Sequence, residues 1–290
     1  MTMSLSTSTS SVSQMLQGYS IEICPGDSKA LAVAIERLPR GTEVFLTWIP
    51  GSNPMDMVKA GAALRKAGCI PVPHIAARHL ESRVLLEELA TRLAVEAGVD
   101  RILAIGGDRA KPAGPFDSTL AVMQSQAFQY AGITRMAVAG FPEGHPSIPD
   151  EVLLEALAAK ARFADADGLQ FSIVTQFCFK AEPIVNWLRN LRALGIHHPV
   201  RIGLAGPAGL LTLTRYALRC GVGNSLRVLT EHPSFAKLLT EKGPEPIILD
   251  LAQACGCSGD EGSALTVHGL HMFVFGGLTK TVDWLHADRE

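Results

Sequence analysis

Three polar residues stand where acid–base chemistry could be done. Glu22 is set in the otherwise apolar run Ser20–Cys24, Asp108 follows two glycines, and Gln176 follows Thr175. A carboxyl group held among apolar neighbours keeps its proton to higher pH, so Glu22 could donate one near neutrality. Asp108, beside glycine amides and nearer solvent, would stay ionised. Each also has a purely structural reading. Glu22 could pair with a Lys or Arg, Asp108 could serve the Gly106-Gly107-Asp108 turn, and Gln176 could bond loop backbone. The combination carries more weight than any member, because an acid on the first strand and another after the fourth would face the same cavity.

The elements that must position them are short β-prone runs alternating with amphipathic stretches rich in Ala and Leu. Strands are expected at Ser20–Cys24, Glu43–Trp48, Ile70–Pro73, Arg101–Ile105, Arg135–Gly140, Gln170–Thr175, Val200–Leu204 and His271–Phe275. Helices are expected at Ser28–Leu38 (with Ser28 as a cap), Met55–Ala67, His79–Ala97, Ser118–Tyr130, Asp150–Phe163, Ala181–Leu194 and Ala208–Cys220. Several strands are almost wholly apolar, as strands buried on both faces are. Eight such strands in βαβα order predict an α/β fold of one domain, a (β/α)8 TIM barrel, over an open doubly wound sheet. The turn Cys24-Pro25-Gly26-Asp27 is no dinucleotide fingerprint, and Gly106-Gly107-Asp108 lacks a third glycine. Residues 1–19, rich in Ser and Thr, read as a flexible tail, and 20–290 as the catalytic barrel. The segment Gly221–Gln253, with the strand-like run Ser225–Leu229, gives no clear boundaries.

In such a barrel chemistry gathers at the carboxyl ends of the strands. Those ends carry Glu22, Thr47, His74, Asp108, the stretch Phe141-Pro142-Glu143-Gly144-His145-Pro146, Thr175-Gln176, Gly203–Gly209 and Gly276-Gly277.

Composition narrows the function. The chain has 290 residues, 47% hydrophobic and 19% charged, a globular balance. A net charge of −2 offers no basic field for nucleic acid or an anionic membrane. There is no apolar run long enough to span a bilayer, and the N-terminus lacks the order of a signal peptide. The six cysteines are scattered, which suits reduced, mostly buried thiols in a cytoplasmic protein rather than a disulfide framework.

At these residues the sequence resembles the methylenetetrahydrofolate reductase family, flavin-dependent barrel enzymes of one-carbon metabolism. The matching segments are Ser20-Ile21-Glu22-Ile23-Cys24-Pro25, Gly107-Asp108, Pro142-Glu143-Gly144-His145-Pro146 and Thr175-Gln176-Phe177-Cys178-Phe179, in the family's order and at about its spacing. The resemblance runs from about Ser20 to Trp284. It implies hydride transfer from NADH or NADPH to FAD and on to the folate. It makes Glu22 the general acid that opens 5,10-methylenetetrahydrofolate, Asp108 the charge stabiliser near flavin and folate, and Gln176 a folate anchor. Phe179, Leu211 and Lys280 fall at substrate-binding positions. Thr47, His74, Gly106, Gly107, Asp108, Phe141 and His145 fall at flavin-contacting ones. Arg162 falls near a lysine used on the flavin phosphates, with Lys160 as a competing candidate. A homo-oligomer is expected, without nucleic-acid or membrane partners.

The chain also departs from the family. Gly106 stands where Arg is frequent, Phe141 where Tyr is, Leu211 near a Phe and Lys280 near an Arg, and Gly276-Gly277 where the family is bulkier. These changes touch flavin form, affinity and nucleotide choice, and they allow a branch working in the oxidative, methyl-folate-consuming direction. The regulatory domain of eukaryotic members is not expected. Alternatives are a flavin-independent folate oxidoreductase, a non-redox folate-binding barrel, and a zinc protein using Cys255, Cys257, His268 and His271. The last spacing is not a standard zinc pattern.

Overall fold

The computed structural model describes residues 12–220, 243–257 and 265–287. Seven strands come first: β1 (Ser20–Ile23), β2 (Glu43–Leu46), β3 (Ile70–Ala76), β4 (Arg101–Ile105), β5 (Arg135–Gly140), β6 (Gln170–Thr175) and β7 (Val200–Ala205). Two short strands, β8 (Gly256–Cys257) and β9 (Thr266–Val267), pair with each other, and β10 (Gly269–Phe273) is the eighth barrel strand. The sheet closes in the order β1-β10-β7-β6-β5-β4-β3-β2, the expected (β/α)8 barrel. Pairs are parallel wherever their register is resolved, for example Val72 beside Phe45 and His74 beside Leu103.

The expected boundaries hold for β4, β5 and β6 and shift elsewhere. β3 runs on to Ala76, so His74 lies inside the strand rather than at its end. β10 starts and stops two residues before the run His271–Phe275, leaving Val274 and Phe275 beyond it. Asp27, not Ser28, caps the first long helix (Ser28–Arg37), accepting from the amides of Lys29 and Ala30. The stretch His79–Ala97 divides into a 3-10 turn, Ala77–His79, and a helix, Arg83–Val95, because Ser82 caps the latter by accepting from Leu85 N. The stretch Ser118–Tyr130 divides at Gln126, whose φ is 56°. There the Ser125 hydroxyl donates to Val122 O and accepts from Ala127 N, competing with helical bonding. The run Ser225–Leu229 lies outside the described residues. Among the described residues no helix is long and apolar enough to cross a membrane.

The chain divides into two compact units. One comprises residues 21–139 and 155–173. Its strand residues Leu46, Ile75 and Ile102 are fully buried. A charged network stands on the first residues of its strands. Arg101 forks onto both carboxylate oxygens of Asp100 at 3.0 Å each and pairs with Glu43. Arg135 reaches Asp100 Oδ2 at 2.8 Å and Gln170 Oε1 at 2.9 Å, and Arg65 stands 3.5 Å from Asp100 Oδ1. These are the amino ends of β2, β4, β5 and β6, the face of a barrel that serves stability.

The other unit comprises residues 1–20, 140–154 and 174–290. Within the stretch read as a tail, residues 12–16 are helical, with Val12, Met15 and Leu16 buried. The Ser20 hydroxyl lies 2.9 Å from His271 Nδ1, both buried, and Thr175 Oγ1 accepts from Gly203 N at 2.8 Å. Cys24, Cys69 and Cys178 are free thiols, and Cys69, Cys178 and Cys255 are buried. No group of three or more His, Cys, Asp or Glu among the described residues could hold a metal.

The Arg101 hydrogen bond, reinforced by three guanidinium charges, holds the Asp100 carboxyl below its ordinary range. A depressed carboxyl pKa adds stability above the unfolded value and loses it as pH falls through the folded one. Asp100→Asn should therefore cost roughly 1 kcal/mol at neutral pH, because the pairs are part-exposed and screened. That deficit should shrink towards zero in acid below the carboxylate range, read by urea denaturation at a series of pH values.

Candidate active site

Glu22 owes its setting to strand periodicity. Ile21 and Ile23 are 0% and 1% exposed, and alternation turns Glu22 to the opposite face. Its surface exposure is intermediate, yet its surroundings are poor in solvation. Burial pushes its carboxyl up to about 7, with the charge of His74 pulling the other way. His74 is buried in β3 with its ring edge-on to Phe45 at 5.9 Å. Thr47 ties the end of β2 to the end of β1, its amide and hydroxyl both donating to Ile23 O at 3.0 and 3.3 Å. These bonds stiffen the strand that bears Glu22.

Asp108 stands beyond β4 on a turn that Gly107 permits, with φ at +90°. Its Oδ1 lies 2.6 Å from His79 Nε2, and the side chains are 70% and 9% exposed respectively. The Trp48 ring lies tilted beside that imidazole, with ring centroids 6.2 Å apart. The structure thus brings Glu22 together with His74, and Asp108 together with His79. Sequence reasoning missed His79, because it fell at the start of an expected helix. A Trp, a Gly-Gly turn and an acid near a histidine carry no spacing signal.

On the helix Asp150–Ala166 the buried residues are Leu157, Ala161 and Ala164. Lys160 sits on that same face, three residues after Leu157 and four before Ala164, whereas Arg162 points away and is exposed. Desolvation lowers the Lys160 amine to about 8.

In the second unit, Gln176 is oriented by its own loop. Its amide donates to Gly140 O at 2.8 Å, and its side-chain Oε1 accepts from Phe177 N at 3.1 Å. That orientation makes the side-chain NH2 the outward donor. Phe141 meets the His145 ring edge-on at 5.4 Å. His145 Nδ1 accepts from Ser147 N at 3.2 Å, and desolvation lowers its pKa, so the neutral ring carries its proton on Nε2. Phe179 is fully buried against Phe177 at 5.6 Å, as packing beneath the loop. Phe275 takes φ 48°, rare for a bulky residue, and its ring packs on Phe177 at 5.0 Å. Cys178 is fully buried; burial pushes its thiol well up, with the nearby Glu143 carboxylate adding to the shift. Leu211 is 88% exposed and Lys280 is exposed, each in the first turn of its helix.

The pattern of methylenetetrahydrofolate reductase matches residues 12–223, most of the chain. The chain belongs to the methylenetetrahydrofolate reductase family. A Caenorhabditis elegans protein named "Probable methylenetetrahydrofolate reductase (NADPH)" is 29% identical over 198 residues, spanning 63% of this chain and 29% of its own. "Methylenetetrahydrofolate reductase 2" of Saccharomyces cerevisiae is 28% identical over 131 residues, spanning 43% of this chain and 20% of its own. The chain therefore aligns with less than a third of either relative's length. Dihydropteroate synthase of Thermus thermophilus shares the fold, with a TM-score of 0.50 at 14% identity over 94% of this chain and 93% of that one.

A raised carboxyl pKa has a cost that can be read in this member of the methylenetetrahydrofolate reductase family. Below the unfolded value both states hold the Glu22 proton. Between that value and about 7 only the unfolded chain releases it, so stability falls as pH rises through this window. Glu22→Gln removes the proton and the cost together. Its melting temperature relative to the parent should be higher at about pH 8 than at about pH 5, measured by calorimetry.

Proposed function

We propose that the chain is a methylenetetrahydrofolate reductase, interconverting 5,10-methylenetetrahydrofolate and 5-methyltetrahydrofolate at the expense of NAD(P)H or NAD(P)+. The observation that carries this reading is Glu22, an acid whose burial holds its proton to about 7 on an otherwise apolar strand. In the reductive direction Glu22 gives that proton to the folate nitrogen whose bond to the methylene carbon breaks. The iminium carbon so formed accepts hydride, and no proton or electron is left over. Asp108, exposed and bonded to His79, opposes the positive charge that develops on the substrate. Gln176 donates its side-chain N–H to the folate, its orientation already set by Phe177 N.

The donor set suits a flavin. The Lys160 amine suits the phosphates of FAD, the His145 Nε2–H suits a ring oxygen, and the Thr47 hydroxyl oxygen, whose proton goes to Ile23 O, is left to accept from a flavin hydroxyl. When bound, the flavin supplies the two-electron relay between nicotinamide and folate. Lys160, on the inner face of its helix, is the better phosphate partner than exposed Arg162. A phosphate beside it would restore the charge that burial weakens. A second reading, direct transfer without flavin, draws on the missing hydroxyl at Phe141. A colourless protein that is active with NAD(P)H and cannot be reconstituted with FAD would establish it.

Glu22→Gln should slow folate turnover by about a hundredfold or more, the lower range for a lost general acid. Its reduction by NAD(P)H, followed anaerobically at the flavin band, should stay near the parent rate. Wild-type folate turnover in this variant would overturn the role of Glu22. Lys160→Ala should weaken FAD binding by about tenfold, as for loss of one charge-assisted phosphate contact. Arg162→Ala should leave it within about twofold, the outcome for an exposed charge. Fluorescence titration of the apoprotein separates the two.

A further inference from the structure

The 3-10 turn after β3 carries two adjacent side chains that both reach the loop after β4. Arg78 holds that loop along its length. Its main-chain N–H donates to Gly106 O at 2.9 Å, and its carbonyl accepts from Ala113 N at 2.9 Å. Its guanidinium donates to Arg109 O at 2.7 Å, Ala110 O at 2.6 Å and Asp117 O at 2.9 Å. Three carbonyls, two from adjacent residues and one from the far end of the loop, converge on a single planar fork, a geometry that a lysine ammonium cannot copy. The next residue, His79, bonds the Asp108 carboxylate at 2.6 Å.

The backbone is shaped to let this happen. A Cβ on Gly107 would lie 3.0 Å from His79 Cδ2, in addition to the strain of its positive φ. A Cβ on Gly114 would lie 2.3 Å from Glu81 O and 2.5 Å from Leu80 O, so the far side of the loop lies directly on the backbone that follows the turn. His79 is only 9% exposed, with the tilted Trp48 ring beside it. The imidazole is therefore a held donor, while the carboxylate it meets faces solvent.

We propose that Arg78 and His79 act together as positioning residues for Asp108. His79 sets the orientation of the carboxylate by hydrogen bond, and Arg78 fixes the loop that carries it. This rests on the reading of Asp108 as charge stabiliser. His79 does not touch substrate; it acts through Asp108. An acid that is 70% exposed samples several rotamers unless something selects one, and the electrostatic work asked of Asp108 depends on where its charge points.

The test uses the whole chain loaded with FAD, with steady-state oxidation of methyltetrahydrofolate followed through reduction of an added quinone, which reoxidises the flavin. Four variants are compared: His79→Ala, His79→Gln, Asp108→Asn and the double variant His79→Ala/Asp108→Asn. His79→Ala should lower kcat by roughly tenfold to a hundredfold, the range for a misplaced catalytic group, with a smaller change in KM. His79→Gln, whose amide N–H can stand where Nε2 stands, should recover most of it. In the double variant His79→Ala should add nothing to Asp108→Asn, because a residue acting only through Asp108 has nothing left to position. A parental kcat for His79→Ala beside a slow Asp108→Asn overturns the proposal, as do effects that multiply. A parental rate for Asp108→Asn overturns the underlying role of Asp108 and this inference with it. Independently of turnover, hydrogen exchange of the 106–117 amides should quicken in Arg78→Lys. Unchanged exchange there overturns the part assigned to Arg78.

Discussion

A parallel strand in a closed sheet has no face turned to water. Its inward side chains meet those of other strands, and its outward ones meet helices. Charge is tolerated only where a strand begins or ends, or where something is arranged to receive it. The polar chemistry of this chain follows from that restriction. Glu43, Arg101 and Arg135 occupy first positions, and together with Asp100, just before β4, they neutralise one another. Glu22 breaks the rule by sitting inside β1, and it meets the restriction by keeping its proton. One constraint yields a charge-neutralised end and, inside an apolar strand, an acid that holds its proton.

The same restriction explains what could be read from the chain alone. β4, β5 and β6 are bounded by abrupt changes from apolar to Gly, Thr or charged residues, and their limits were found to the residue. Glu22 announced itself because an acid inside an apolar run is conspicuous. The two expected helices that proved broken failed for a local reason. Ser82 and Ser125 turned their hydroxyls on nearby backbone, an option that periodicity does not weigh. The register of β10 slipped because Val274 and Phe275 continue its apolar run into a turn with positive φ.

Side-chain partnerships were harder to read. Lys160 and Arg162 differ by two residues, and only the buried stripe Leu157–Ala161–Ala164 decides which faces inward. His79 meets Asp108 from the turn after a different strand, twenty-nine positions earlier. Gln176 could be expected at a strand end, but not that Phe177 N would turn its carboxamide round. Each of these depends on distance in space, and no spacing along the chain encodes it.

The two glycines before Asp108 are not equivalent. Around Gly106 a Cβ would find open space, and its φ is unremarkable, so this position can drift among residue types without disturbing the backbone. Gly107 is closed to drift by its own dihedral and by the imidazole it touches. An arginine at the first position would therefore meet no steric barrier at its Cβ, whereas at the second any side chain would. Beside Asp108 a side chain can be added at only one of two adjacent positions, and the loop can change its chemistry there while its course stays fixed.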